Sequence, residues 1–482
     1  MNSVPLEIKK EPMKVIIWGG VPKGTKKQWT CRATDTKPGV QTDLNETFKR
    51  NSGLPVNVKE VEVLGAEDAR DGFLNRQVAE LFEPRMDLAG FVNSLESVAD
   101  KFRHLGLYDS IRYHVEMLPD SVLDKSLDLK TTLHLNRIQK QAVKIETLTR
   151  NGEQAGVTAQ ATLDNVFGGA ESVEVFGGYD WPPNQFAGLR LKAPVINSPK
   201  FGWSLTTDWR SMDLPWASHS QDLSKASLRL LVANILKGDA SVGLQASLRD
   251  VHNLKSAASD SVRVDSGQTL KTSLVADWTI DTTNHAFYPT SGAKLAANAE
   301  YALPNPSLRS NVSFIRALAK GSVAKTLDPI KDRLVLEVTG GAGLLWSKNS
   351  SIVDRFYLGG PKSGLYGYQN NGLGPKDLDD AIGGDGYIKG ALNIYGKLPR
   401  LSVDSPLRFM LFFNGATLTP IDVTSQQPLK PMLENPSTGA GVGLCYRTEA
   451  AQLELTYSVP LSTKPHDITR KGLQFCVGIA LP

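Results

Sequence analysis

The stretch Gly292-Ala293-Lys294-Leu295-Ala296-Ala297-Asn298-Ala299-Glu300-Tyr301 carries two unlike faces. Lys294, Asn298 and Glu300 fall on one, and Ala293, Leu295, Ala297, Ala299 and Tyr301 on the other. Period two marks a β-strand between different environments. Ala451-Gln452-Leu453-Glu454-Leu455-Thr456-Tyr457 repeats it, with Gln452, Glu454 and Thr456 opposite Leu453, Leu455 and Tyr457. A soluble sandwich shares this alternation, so the number of such runs has to decide. From about residue 140 onward, candidate strands start near Val143, Gly156, Glu171, Ala187, Phe201, Ser227, Gly243, Leu270, Gly292, Ser310, Asp332, Tyr387, Arg408, Thr438, Ala451 and Gly472. That is an even sixteen, with no helical domain between them. About twenty-one residues per strand and connection suit strands of about ten residues joined by alternating short turns and longer loops. A closed barrel also removes the edges that so many strands would otherwise expose. The expected fold is mainly β, a 16-stranded transmembrane β-barrel.

Composition agrees. The chain has 482 residues, with 54 Lys+Arg against 50 Asp+Glu and a net charge of +4. That near balance gives no global nucleic-acid signature. At 41% hydrophobic residues a core can form, which argues against full disorder. No apolar run is long enough for a transmembrane helix, but a barrel hides in average hydropathy. Cys31, Cys445 and Cys476 are too few for a disulfide framework and fit a reducing assembly route. The apolar run Val15–Trp18 is too short for a secretory signal, and Glu7 and Glu11 argue against a mitochondrial presequence.

Three regions are expected: 1–54 a flexible basic tail, 55–137 a small α+β domain and 138–482 the barrel. In the tail, Lys9, Lys10, Lys14, Lys23, Lys26 and Lys27 are punctuated by Pro and Gly. In the second region, 56–63 alternates as a strand. Arg70–Phe82 and Leu88–Leu105 carry helical apolar faces, separated by Pro84 and closed by Gly106. Ile111–Met117 and Leu129–Leu135 read as further strands. The order β-α-α-β-β makes a compact module.

The longest connection, between Trp346 and Tyr387, contains Arg355-Phe356-Tyr357-Leu358-Gly359-Gly360-Pro361-Lys362-Ser363-Gly364-Leu365-Tyr366-Gly367-Tyr368-Gln369. A disordered loop would not carry so many aromatic and aliphatic residues, so this one is expected to pack inside the barrel.

This segment resembles the inward-folded sixth loop of the BamA-type outer-membrane insertase and transporter superfamily, in which a Gly-Gly segment precedes an Arg-Gly-Phe/Tyr tip. The runs Gly372–Asp385 and Ile468–Gly478 resemble the mitochondrial branch, the channel subunit of the sorting and assembly machinery (SAM). Tyr288–Gly292 and Asp164–Glu171 are similar to the superfamily, and the N-terminal module looks like one polypeptide-transport-associated (POTRA) domain. Gly359, Gly360, Leu365, Tyr366, Gly367 and Tyr368 are then the lumenal loop. In the family the tip Arg pins the loop to a carboxylate on the inner wall, but this chain has Tyr366. Tyr offers one hydrogen bond without a guanidinium fork. The charged lock is therefore absent or served by a neighbour such as Lys362. Exchange of Tyr366 for Arg should be tolerated where an acidic wall partner persists. Arg470, Gly472, Phe475, Val477 and Gly478 fit the polar-x-Gly-x-x-hydrophobic-x-hydrophobic pattern of mitochondrial barrel sorting signals, which an ordinary amphipathic strand also meets.

The resemblance implies insertion of β-barrel precursors into the mitochondrial outer membrane through a lateral seam between the first strand (near Val143–Leu148) and the last (Gly472–Ala480). The N-terminal module would lie on the intermembrane-space side. The implied partners are β-barrel precursors, accessory subunits of a SAM-like complex and outer-membrane lipids, with no nucleic acid. The alternative is a passive or polypeptide-translocating outer-membrane channel (a chloroplast or bacterial relative, or a non-inserting paralogue). No enzyme, catalytic residue, metal or cofactor is expected. The seven histidines lack zinc-ligand spacing, and no G-x-S-x-G elbow occurs. Asp377, Asp379, Asp380 and Asp385 do not fit an EF-hand and read as a solvated loop.

Overall fold

A computed structural model describes residues 51–481 except 85, 119–126, 151–153, 305–311, 328–332, 348–349, 400, 402–404, 423–426 and 428. The expected basic tail up to residue 50, with Cys31, lies outside the described residues. The chain divides into two compact units. One runs to Lys140 and takes in Leu163–Ser172 and Ala193–Lys200. The other comprises Gln141–Thr162, Val173–Lys192 and Phe201–Pro482.

The first unit contains β1 (Pro55–Leu64), α1 (Asp71–Val78), β2 (Met86–Asp87), α2 (Leu88–His104), β3 (Tyr108–Met117) and β4 (Leu127–Arg137). The sheet order is β2-β1-β4-β3, with β1 parallel to β4. Two details differ from the sequence expectation. α1 stops at Val78 and continues as a 3-10 turn, Ala79–Phe82, because Glu83 must leave the helical region ahead of Pro84. Met86–Asp87 also adds a two-residue edge strand. α2 is well delimited. The Asp87 side chain accepts a hydrogen bond from Gly90 N at 2.7 Å, Lys101, Arg103 and His104 occupy the last turn, and Gly106 (φ +69°) terminates the helix in a conformation that suits glycine. Phe73, Leu74, Phe91, Val98 and Phe102 from the helices pack with Val61, Val63 and Leu133 of the sheet. Within this unit the Asp164–Glu171 run clasps Arg70. Arg70 N donates to Gly168 O at 2.8 Å and its guanidinium to Glu171 Oε1 at 2.6 Å.

The second unit is built on a closed barrel. Its strands are β5 (Gln141–Arg150), β6 (Gln154–Asp164), β7 (Ser172–Trp181), β8 (Asn184–Pro194), β9 (Phe201–Leu214), β10 (His219–Ile235), β11 (Gly238–His252), β12 (Gly267–Asp281), β13 (Ser291–Leu303), β14 (Phe314–Thr326) and β15 (Leu334–Trp346). After a two-strand ribbon, β16 (Lys376–Asp377) and β17 (Asp380–Ala381), the wall resumes with β18 (Gly386–Lys397), β19 (Leu407–Thr419), β20 (Ser437–Arg447), β21 (Ala451–Ser462) and β22 (Gly472–Leu481). β22 closes on β5, so all sixteen expected strands are present in one antiparallel ring.

Three starts move by four residues or more. β10 begins at His219 rather than near Ser227, β11 at Gly238 rather than near Gly243, and β14 at Phe314 rather than near Ser310. The extra residues of β10, among them Ser220, Gln221, Asp222 and Ser224, are polar on both faces. They give no alternation of hydropathy although the backbone ladder with β9 continues through them.

Alternation along the wall is inverted relative to a soluble protein. Leu230, Leu244, Leu274, Leu295, Phe413 and Leu455 are exposed on the outer face, while Arg249, Lys271, Glu300, Asn414, Thr456 and Gln474 are buried inside. Trp203, Trp209, Trp346 and Tyr457 also stand exposed among the outer residues. An apolar outer band around a polar interior is the arrangement a hydrocarbon surround requires, and the ring leaves no open edge within it. The molecule is a transmembrane β-barrel preceded by a POTRA-like module.

Candidate functional site

The connection from β15 to β18 folds into the lumen, as the aromatic content of the sequence implied. Its backbone doubles back through isolated bridges between Phe356 and Gly384, Leu358 and Leu373, and Gly360 and Leu365. Gly359 (φ +124°) and Gly360 (φ +77°) make the turn. A Cβ there would stand 2.3 Å from Gln369 O and 2.1 Å from Asn370 Oδ1, so no larger residue fits. Phe356, Leu358, Leu365 and Tyr368 bury themselves against Tyr387, Ala416 and Leu418 of the wall.

The tip meets the wall near the C-terminal strand. The Tyr366 hydroxyl donates to Glu454 Oε1 on β21, and its ring stacks at 4.6 Å on Phe412. Arg447 Nη2 lies 3.6 Å from Glu454 Oε2 and supplies the positive charge that the tip lacks. Lys362 is exposed on the turn Pro361–Ser363 and does not replace the missing arginine. The Tyr368 hydroxyl sits 2.8 Å from Thr438 O and 2.6 Å from Ser462 O, with one proton to give to either. The loop also hydrogen-bonds the segment that leads into β22. Gln369 N donates to Ile468 O (3.0 Å), Ile468 N to Gly372 O (2.8 Å) and Arg470 N to Gly367 O (2.8 Å).

A second anchor lies on β11, β12 and β13. Asp354 accepts from Arg249 Nη1 at 2.5 Å and from Lys271 Nζ at 3.1 Å, and Lys271 also lies 2.8 Å from Glu300 Oε1. All four side chains are at least nine-tenths buried. The loop thus spans the lumen between two charged anchorages. The acidic run fastens it further. Asp380 accepts from Ser259 N at 2.7 Å and Asp377 from Ser261 Oγ at 2.6 Å. These bonds from Ser261 hold the Asp377 carboxyl below its ordinary range. Among the described residues no group of three or more His, Cys, Asp or Glu side chains could hold a metal ion.

The six expected loop residues therefore come together at one place. Of the C-terminal set, Arg470 and Gly472 lie at the loop contact and the start of β22, and Phe475 faces outward and is exposed. Val477 and Gly478 pair with Thr149 and Leu148 across the closure. That closure pairs only Cys476–Leu481 with Ile145–Arg150, six positions, against ten to fourteen in each pairing from β9 round to β21. Sequence reasoning missed Asp354, Arg249, Lys271 and Arg447. It did place Glu454 and Glu300 on polar faces.

Tyr366→Phe removes one hydrogen bond to a charged acceptor and is expected to loosen the tip by about 1.5–3 kcal/mol. Tyr366→Arg, with Glu454 within reach, is expected to keep the loop docked. Trypsin protection at Arg355 and Lys376, both half-buried in the loop, distinguishes the two.

Residues 165–481 match the family model described as the Omp85 superfamily domain. The chain is 30% identical over 453 residues to a SAM50-like protein of Schizosaccharomyces pombe, covering 90% of this chain and 93% of that one. It is 26% identical over 450 residues to the human sorting and assembly machinery component 50 homolog, covering 91% and 93%. The structure resembles BamA from Haemophilus ducreyi lacking POTRA domains 1–3, with a TM-score of 0.70 at 16% identity, over 88% of this chain and 85% of that one. The barrel and its inward loop therefore have the architecture of an Omp85-type β-barrel, and the chain belongs to the Omp85 superfamily. Its curated relatives place it in the SAM50 branch, the mitochondrial branch to which its loop and C-terminal segments are similar.

Proposed function

We propose that this protein inserts and folds β-barrel precursors in the mitochondrial outer membrane, through a seam between β5 and β22. The observation that carries the reading is the direct hydrogen bonding of the lumenal loop to Ile468 and Arg470, immediately ahead of the strand whose pairing with β5 spans only six positions. An unpaired strand in hydrocarbon leaves amides unsatisfied at several kcal/mol each. A short seam that opens sideways offers an incoming strand an edge on which to pair. The loop holds the turn before β22 in place while that edge is free. The N-terminal module receives precursors on the intermembrane-space side, and accessory subunits of a SAM-like complex and outer-membrane lipids complete the machine. The mechanism uses strand exchange and no covalent step.

The test is reconstitution. The full chain is placed in liposomes, a urea-unfolded β-barrel precursor is added, and folding is followed by heat-modifiable gel mobility. Folding faster than in empty liposomes is the expected result. Ion conduction with no gain in folding would contradict the proposal and favour a passive channel.

A further inference from the structure

We propose that a lumenal pocket beside the loop turn binds a phosphate-class oxyanion. The pocket has a volume of about 240 Å³, and Lys294, Lys320, Lys389, Ser322, Thr339 and the loop's Ser363 line it. Its lining contains no carboxylate.

The register explains why the lysines converge. Lys320 on β14 and Lys389 on β18 both pair with Gly341 of β15, one from each side. Their Cα atoms are thus two strand spacings apart, about 10 Å, on the same inward row. The glycine between them leaves that gap open, since a Cβ at 341 would come within 3.2 Å of Lys389 Cε. Lys389 Nζ donates to Ser363 O at 2.8 Å, which uses one of its three protons and draws the loop over the pocket. Lys320 is exposed to the lumen and has no ion pair among the described residues. Lys294 sits at the rim, its Nζ 3.0 Å from Asp281 Oδ2.

Like charges facing each other on one side of a sheet repel. An oxyanion between Lys320 and Lys389 would accept from both and turn that repulsion into attraction. The Ser322 and Thr339 hydroxyls add neutral donors. Lysines acting as point charges, joined by hydroxyls in a small cavity, suit a multivalent phosphate group better than a single carboxylate. The group could belong to a free phosphate compound or to a phospholipid headgroup.

The experiment titrates inorganic pyrophosphate into the detergent-solubilised full chain by calorimetry. Saturable binding that weakens with salt is expected. Lys320→Ala and Lys320→Glu should lower the affinity by about tenfold or more, as expected for loss of a charge-assisted contact, while Lys255→Ala, outside the pocket, should not. Heat-modifiable mobility confirms that each variant is folded. Competition by vesicles containing phosphatidylinositol assigns the site to a headgroup, and its absence assigns it to a free phosphate; both uphold the site. No saturable binding, or unchanged binding in folded Lys320→Glu, overturns it.

Discussion

Asp354→Ala is expected to release the lumenal loop from the wall of β11, β12 and β13. Arg249 is 2% exposed, and among the described residues its guanidinium keeps the Nε contact to Thr269 Oγ1 at 3.1 Å once the carboxylate is gone. Lys271 retains Glu300. One buried guanidinium is then left without a counter-charge, and removing one partner of such a pair costs about 3–5 kcal/mol. Opening the loop lets water reach Arg249 and is the cheapest relief. The barrel ladders do not depend on Asp354, so heat-modifiable mobility should survive. Trypsin should gain access to Arg355 and Lys376, which are half-buried in the wild-type loop. Asp354→Leu combined with Arg249→Met should restore much of the protection, since a buried pair can be exchanged for packed apolar residues at little cost. Equal protection in Asp354→Ala would mean that the other contacts suffice to anchor the loop.

Much of the fold was legible because a barrel wall writes itself into the sequence at period two. Leu295, Ala297 and Tyr301 against Asn298 and Glu300 gave the inner and outer faces of β13 correctly. The legibility ended where polarity stopped alternating, as in the first residues of β10, whose pairing continues beyond the apolar band. The loop could be placed in the lumen because Phe356, Leu358, Leu365 and Tyr368 needed a core. Its anchors could not be read. Asp354 meets Arg249 across 105 residues and Tyr366 meets Glu454 across 88, and such pairings are set by barrel closure rather than by local pattern. The loss of the tip arginine was visible as Tyr366. Its compensation by Arg447 on β20, next to Glu454 on β21, became apparent only with the register. The acidic run at 377–385 was read as solvated loop, yet Asp377 and Asp380 hold the residues around the short helix α3 (Asp260–Val264).

The second large effect concerns the seam. Cys476 on β22 faces Arg150 on β5 in the register. Residues directly opposite in an antiparallel pair have Cα atoms about 4.5–5.5 Å apart, within reach of a disulfide. Val143, by contrast, lies beyond the last paired position, so a cross-link there would not clasp the seam. Arg150→Cys therefore needs only the native Cys476 to lock β5 to β22, with Cys31→Ser to remove a competing thiol. Cys445 is fully buried and can stay. The decisive measurement is precursor folding by the Arg150→Cys protein, oxidised and then reduced, in the same liposomes. The account predicts that oxidation brings folding down to the rate of empty liposomes and that reduction restores it. An oxidised, demonstrably cross-linked barrel that folds precursors at the reduced rate would contradict insertion through the β5–β22 seam.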